Sequence, residues 1–205
     1  MKLTIPERAE AFKAAFPNQP ASWPWIAQEG DPHLGEQHDV MYAVWCPGAA
    51  YGNENPLHGS YPRGYLKKLM AFFPDIAPRD TLHAFAGLLP AGDYVRLDLK
   101  AERNPDVVGN VYDAPQLFPA CRFELVAADP PYTPKDADIY GTPMVNRPRA
   151  VRALADVVKP GGFMAWLDTQ WPMHRKSQWV TVARIMVERS TNHDTRSLHI
   201  FRRAA

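Results

Sequence analysis

Phe123-Glu124-Leu125-Val126-Ala127-Ala128-Asp129-Pro130-Pro131-Tyr132 is the stretch on which the reading of this chain turns. Its first six residues are an apolar run that reads as a buried strand. The next four place a carboxylate, a stiff backbone turn and an aromatic ring together at the strand's carboxyl end. In open α/β sheets that edge is where ligands bind.

Outward from this stretch the pattern is α/β. Strands are expected at Thr81–Phe85, Tyr94–Asp98, Val107–Val111, Phe123–Ala128 and Phe163–Asp168. A helix from about Arg147 to Val158 is stopped by Lys159-Pro160-Gly161-Gly162. Two further strands, Val180–Arg189 and Ser197–Arg202, are joined by the polar turn Ser190-Thr191-Asn192-His193-Asp194. Strand, crossover and strand in repetition predict a largely parallel sheet with helices on both faces. The closing hairpin adds antiparallel character at one edge.

Upstream, residues 5–16 read as a short helix with Phe12 and Phe16 on one face. From Pro17 to Pro62 the chain is rich in Pro, Gly, Trp and Tyr, with a strand at Asp39–Trp45. So many aromatics imply packing on a core. Tyr61–Phe73 reads as an amphipathic helix with Tyr65, Leu66, Leu69 and Phe73 at helical spacing. The expected division is a Trp- and Pro-rich N-terminal extension, residues 1–61, packed on a catalytic domain, residues 62–205.

A length of 205 residues suits one domain with a substantial core. With 46% hydrophobic and 22% charged residues, the composition is ordinary for a globular protein, and no stretch is long enough for a membrane span. Met1–Glu7 lacks the apolar core and cleavage site of a secretory signal. Cys46 and Cys121 make neither a disulfide framework nor a metal-ligand cluster, so no metal is expected and a reducing cytoplasm is the natural setting. A net charge of +1 means that nucleic-acid binding must rest on local patches. There is no phosphate-binding Walker loop, zinc-ligand spacing or serine elbow.

Asp129–Tyr132 suits chemistry on a flat molecule carrying an exocyclic amine, such as adenine or cytosine. Such an amine is a poor nucleophile because its lone pair is delocalised into the ring. Two acceptors aimed at its two N–H bonds favour the tetrahedral geometry needed for attack on a methyl group. The Asp129 carboxylate and the Pro130 carbonyl are those acceptors. Pro130 and Pro131 bring no competing N–H, and their fixed φ holds the carbonyl in place. Tyr132 can stack on the base, worth about 1–3 kcal/mol. A base within a duplex must first be flipped out. The bland alternative is an ordinary strand-ending Asp-Pro turn in a proline-rich chain.

On these residues the chain resembles the class I S-adenosylmethionine-dependent methyltransferases, and more narrowly the DNA amino-methyltransferases that carry Asp-Pro-Pro-Tyr. The likeness covers roughly residues 79–205. It includes His83-Ala84-Phe85-Ala86-Gly87 as first strand and cofactor loop, and Tyr94–Asp98 as a second strand ending in an acid. Val107-Val108-Gly109-Asn110-Val111-Tyr112-Asp113, the Lys159–Gly162 turn and the closing hairpin complete it.

The resemblance implies a Rossmann-like sheet and S-adenosylmethionine as cofactor. It implies catalytic roles for Asp129, Pro130, Pro131 and Tyr132. Cofactor contacts would come from His83, Ala84, Phe85, Ala86, Gly87, Asp98, Asn110 and Val111, with Asp113 a nearby alternative to Asn110. Asp98 would accept hydrogen bonds from the ribose hydroxyls, and Asn110 would meet the adenine. His83 reads equally as a core histidine. Only eleven positions separate Gly87 from Asp98, too few for a helix and the next strand, so the first crossover must be a shortened one or a tight turn.

Lys135, Arg147, Arg149, Arg152, His174, Arg175 and Lys176 form either a basic rim for phosphates or ordinary solvated charge. The loop Asn53–Pro62 either closes over the cofactor or is a plain capped loop. The expected activity is methyl transfer to a nucleobase amine, adenine N6 in DNA first and cytosine N4 second. The alternatives are an enzyme of the same fold acting on RNA or a small molecule, and a non-catalytic partner subunit.

Overall fold

The structure is a computed structural model that describes residues 2–30, 37–46, 61, 62, 64–188 and 195–204. In chain order its elements are α1 (Ile5–Ala15), β1 (Trp25–Gly30), β2 (Gln37–Trp45), α2 (Tyr65–Phe72), β3 (Thr81–Ala84), β4 (Val95–Asp98) and β5 (Val107–Val108). There follow α3 (Ala114–Leu117), β6 (Phe123–Ala128), α4 (Pro134–Tyr140), α5 (Arg147–Val157), β7 (Val158–Asp168), β8 (Trp179–Glu188) and β9 (Thr195–Arg203).

The strands form one nine-stranded sheet in the order β1-β2-β8-β9-β7-β6-β3-β4-β5. From β5 through β4, β3 and β6 to β7 every neighbouring pair is parallel. β9 inserts antiparallel between β7 and β8, which is the closing hairpin expected of the Rossmann-like methyltransferase sheet. β2 then pairs parallel with β8, and β1 caps that edge antiparallel to β2.

Local chemistry explains most boundaries. At α1 the Thr4 hydroxyl accepts the Glu7 N–H, and the Glu7 carboxylate accepts the Thr4 N–H at 2.7 Å, a capping box with Pro6 in the first turn. α4 forms in a stretch expected to be loop, through the same device between Thr133 and Asp136. β7 starts directly after α5, so Lys159-Pro160-Gly161-Gly162 is the strand's first part, not a turn ahead of it. A Cβ at Gly162 would stand 2.9 Å from the Lys159 carbonyl and 3.0 Å from that of Glu124, so only glycine allows this approach to β6.

Ten residues, 85–94, join β3 to its parallel neighbour β4 without a helix, in line with the short crossover expected from the sequence. Buried Arg96 braces this connection. It donates to the Leu89 carbonyl at 3.1 Å and to the Asp106 carboxylate at 3.1 and 2.9 Å.

Two cores lie on the two faces of the sheet. One packs α1 and α2, through Phe12, Phe16, Tyr65, Leu69 and Phe72, against Met41, Trp45, Leu125 and Ile200. The other packs α5, through Ala150, Val151 and Leu154, against Leu82, Val126, Met164 and Trp166. No helix among the described residues is long and apolar enough to cross a membrane.

Arg8 ties α1 to the first core. Its fully buried guanidinium donates to Asp75 at 2.6 and 2.8 Å and to the Phe72 carbonyl at 3.2 Å, and lies 5.0 and 4.6 Å from the Phe73 and Phe163 rings. Removing one member of such a pair leaves the other desolvated and unpaired. Arg8→Ala is expected to cost about 3 kcal/mol in urea unfolding, with most of it recovered in an Arg8→Met/Asp75→Leu double variant.

Candidate active site

β6 is buried along nearly its whole length, and Pro130 and Pro131 are buried after it, so the chain reaches the sheet edge at Asp129 in one geometry. The Tyr132 hydroxyl folds back and donates to one oxygen of the Asp129 carboxylate. Arg196, near the start of β9, places its guanidinium 4.5 Å from the centre of the Tyr132 ring. Arg147, in the first turn of α5, donates through Nη2 to the Tyr132 carbonyl at 2.9 Å. The same guanidinium holds Asp168 at the tip of β7, at 2.6 Å through Nε and 3.0 Å through Nη2. Asp168 is fully buried and also accepts from Trp166 Nε1 at 3.1 Å and the Thr169 N–H at 2.7 Å.

Burial pushes the Asp129 carboxyl up to about 7, and the charge of Asp168 adds to that rise; the Tyr132 hydroxyl and Arg196 oppose it. Burial and the Asp129 charge raise the Tyr132 phenol well above its usual range, so it remains a donor at neutral pH. A carboxyl held near 7 in a cleft is the kind of group found at functional sites.

The cleft in front of Asp129 contains about 1070 Å³ of empty space, counting the part open to solvent. Asp129, Pro130, Pro131 and Tyr132 all line it. So do Phe85, Ala86, Gly87, Asp98, Asn110 and Val111. His83 and Ala84 lie behind it, within β3. His83 is 3% exposed, its Nδ1 lies 3.1 Å from the Tyr61 hydroxyl, and its ring packs edge-on to Tyr94. Burial lowers its pKa to about 4, so it is a neutral core imidazole at pH 7.

Asp98 ends β4 and joins two loops. Its carboxylate accepts the Gly87 N–H at 2.8 Å and the Lys100 N–H at 2.9 Å. A carboxylate has about four acceptor positions, so roughly two remain for a ligand. Asn110 accepts the Tyr112 N–H through Oδ1 at 3.1 Å, and this bond makes no use of its side-chain NH2. Phe85 has φ +61° and Gly87 φ +54°, the left-handed conformation that turns the loop back beneath the cleft. A polar acceptor at one strand end, an amide at the next and apolar walls from Phe85, Leu99, Val111 and Val145 fit a nucleoside-bearing cofactor.

Of the expected basic rim, Arg147 is turned inward to Asp168, and Arg149 lies 4.3 Å over the Tyr112 ring. Lys135, Arg152, Arg175 and Lys176 are exposed, and His174 is half-buried with its ring against Phe201. Most of the Asn53–Pro62 loop and the hairpin turn Ser190–Asp194 lie outside the described residues. Sequence reasoning did not single out Tyr61, Lys100, Arg103 or Arg196 as cleft-lining, or Asp168 as the partner of Arg147. Asp168 did have a signal: like Asp98 and Asp129, it is the acid that closes an apolar strand.

No protein-family model and no curated protein matches the chain. Among solved structures it is similar to TrmN from Thermus thermophilus, with 14% identity over 72% of this chain and 51% of that one, at a TM-score of 0.52. The chain thus spans about half the length of TrmN. It is also similar to the putative methyltransferase yhhF from Escherichia coli, with 9% identity over 87% of this chain and 99% of that one, at a TM-score of 0.45. The likeness to TrmN is one of fold.

The raised Asp129 has a consequence for stability. With the native value near 7 and the ordinary value at 3.8, ionisation opposes folding. The contribution of Asp129 is greatest below about pH 4 and is lost as pH rises through 7. That gap sets a ceiling of roughly 4 kcal/mol, and solvent access reduces the expected effect to about 2 kcal/mol. Asp129→Asn is therefore expected to be more stable than the parent in urea unfolding at pH 8, with the difference vanishing near pH 4.

Proposed function

We propose that the cleft transfers a methyl group from S-adenosylmethionine to an exocyclic amine of a nucleobase, adenine N6 in DNA first and cytosine N4 second. The observation that carries this reading is that Asp129 and Pro130 line the same cleft as Asp98, Asn110 and the Phe85–Gly87 loop. An amine-gripping corner and a nucleoside-binding edge thus share one cavity.

When bound, the cofactor supplies a methyl group on a positively charged sulfur. In this reading the free acceptor positions of Asp98 take the ribose hydroxyls, and Asn110 and Val111 border the adenine. The small side chains of Ala86 and Gly87 let the backbone approach closely. Asp129, as carboxylate, accepts one N–H of the target amine, and the Pro130 carbonyl accepts the other. The amine nitrogen is then biased toward tetrahedral geometry with its lone pair free. Tyr132 packs against the base, and Arg147 fixes the Tyr132 carbonyl so that the turn does not splay. The extra proton leaves to water after transfer, so no strong general base is needed.

The test is incorporation of labelled methyl into DNA, RNA and free nucleosides. Asp129→Ala should lose turnover by at least 100-fold while calorimetry still detects S-adenosylmethionine binding. Asp98→Ala should lose that binding. Full turnover in Asp129→Ala would overturn the reading. Label in RNA or nucleosides but not in DNA would move the substrate while leaving the chemistry intact.

One observation favours a second reading, a non-catalytic partner subunit: the β3–β4 connection has no helix, so no helix N-terminus faces the cofactor's methionine part. Absence of measurable S-adenosylmethionine binding by the parent protein would select it.

The proposed chemistry also predicts a pH profile. One Asp129 oxygen already accepts the Tyr132 hydroxyl, and protonation would turn the other into a donor, so the ionised form is the one that accepts the amine N–H; burial places its pKa at about 7. Turnover per bound substrate should climb about tenfold per pH unit below that value and level off above it. A flat profile between pH 5.5 and 8.5 would count against Asp129 as the acceptor.

A further inference from the structure

The sheet carries a row of rings and a cation beside the cleft that the proposed chemistry does not use. Trp25 is in register with Tyr42, Tyr42 with Arg184, and Arg184 with His199, so β1, β2, β8 and β9 present them on one face. Trp25 stacks on Tyr42 at 5.8 Å. The Arg184 guanidinium lies 5.7 Å from the Tyr42 ring and 4.5 Å from that of Trp171. Trp171, in turn, stacks on His199 at 4.7 Å. Burial beneath Trp171 lowers His199 to about 4, so it acts here as a neutral flat ring.

Trp171 is exposed on this row because of a missing element. β7 and β8 point the same way, yet residues 169–178 connect them without a helix. Parallel strands normally receive a crossover helix over this face. Here Trp171 lies over Arg184 and His199, with 47% of it exposed, and Trp25 is 55% exposed at the outer end. Met173, on the same connection, is 77% exposed. At its inner end His199 pairs with Trp166, whose ring meets Phe85 of the cleft wall edge-on at 6.2 Å, so the row runs outward from the cleft wall.

We infer that this face binds single-stranded nucleic acid, with bases stacking on Trp171 and Trp25 while the strand's target base enters the cleft; the inference rests on the nucleobase reading above. Exposed rings alternating with a guanidinium are the surface on which bases stack without sequence preference. Glu29 lies beside the row and is paired with Arg184 and the Tyr42 hydroxyl, so Arg184 offers a flat guanidinium for stacking while its charge is met by Glu29, and attraction of phosphates falls to other cations. Arg175 and Lys176 follow Trp171 in the same connection and are exposed, which gives the charge sign that phosphates need. Three interstrand gaps of about 4.8 Å carry the row over some 14 Å, close to four stacked nucleotides at about 3.4 Å each.

The test is fluorescence anisotropy with a labelled 16-nucleotide single-stranded DNA, and separately its RNA counterpart, on full-length protein without cofactor. Trp171→Ala and Trp25→Ala should each weaken binding by roughly 5- to 100-fold. Trp171→Phe should keep it within threefold, and S-adenosylmethionine binding should be unchanged in all three. Unaltered oligonucleotide affinity in folded Trp171→Ala overturns the inference, as does sedimentation showing the face buried in a dimer that Trp171→Ala dissociates. Because the readout needs no turnover, Trp171-dependent oligonucleotide binding without methyl transfer would remove the reading of the cleft and leave this surface standing. Methyl transfer with no dependence on Trp171 or Trp25 would do the reverse.

Discussion

The ion pair between Asp168 and Arg147 holds the candidate site in shape. Asp168 is fully buried at the end of β7, and its charge is met by six described donor contacts from Arg147, Trp166 and the following turn. A buried carboxylate is costly unless every acceptor is used. Arg147 has one further donor within reach of a backbone oxygen and gives it to the Tyr132 carbonyl. The consequence runs through three elements at once: the tip of β7, the first turn of α5 and the turn after β6 cannot move independently. Pro130 and Pro131 remove the remaining backbone freedom between Asp129 and Tyr132. The site is thus stiff by covalent geometry at one end and by a desolvated ion pair at the other.

That stiffness has an electrostatic cost at Asp129. The carboxyl sits near a second buried acid and away from bulk water, and the two groups that favour its charge are a phenol and a guanidinium at a ring's distance. A fully solvated acid would ionise readily but would face water in place of a substrate amine. A fully buried one with no cation nearby would stay neutral and could not accept. Asp129 lies between these limits, with its carboxyl at about 7. Its ionisation opposes the fold, and under the proposed function the same carboxylate is the acceptor for a substrate N–H, the usual trade of stability for activity.

How much of this was legible depended on whether the signal was local. The β6 run and the Asp-Pro-Pro-Tyr turn were readable because strand patterning and proline stereochemistry act within ten residues. The closing hairpin and α5 were readable for the same reason. β1 was not: Trp25–Gly30 is half exposed, pairs on one side only and has no clean alternation. α4 is hard to see in the sequence although Thr133 and Asp136 carry a capping box, because the stretch between them and Gly141 is too short to show helical periodicity. Arg147 has no local signal for its inward turn, because the acid that holds it is twenty-one residues away and is brought beside it only when α5 packs on the end of β7. Arg196 had no signal at all, since its place over Tyr132 exists only once β9 has inserted beside β7.

Both helix-less connections, after β3 and after β7, follow from one substitution of means. A crossover helix supplies apolar cover for the sheet and an N-terminal cluster of N–H groups at its edge. After β3 the cover is replaced by the Arg96–Asp106 brace, and the N–H function falls to the Gly87 amide, which is already committed to Asp98. This edge of the cleft is therefore tied to β4 by side-chain bonds, and any ligand at Asp98 must share that carboxylate with two backbone donors. After β7 the cover is a single tryptophan laid on a histidine and an arginine, which leaves rings at the surface where a helix would have hidden them. The two losses have opposite effects. One narrows the cleft beside Asp98, and the other opens a flat, stacking-competent face of the sheet; under the proposed function, that pairing gives up a close grip on the cofactor for access by a long substrate.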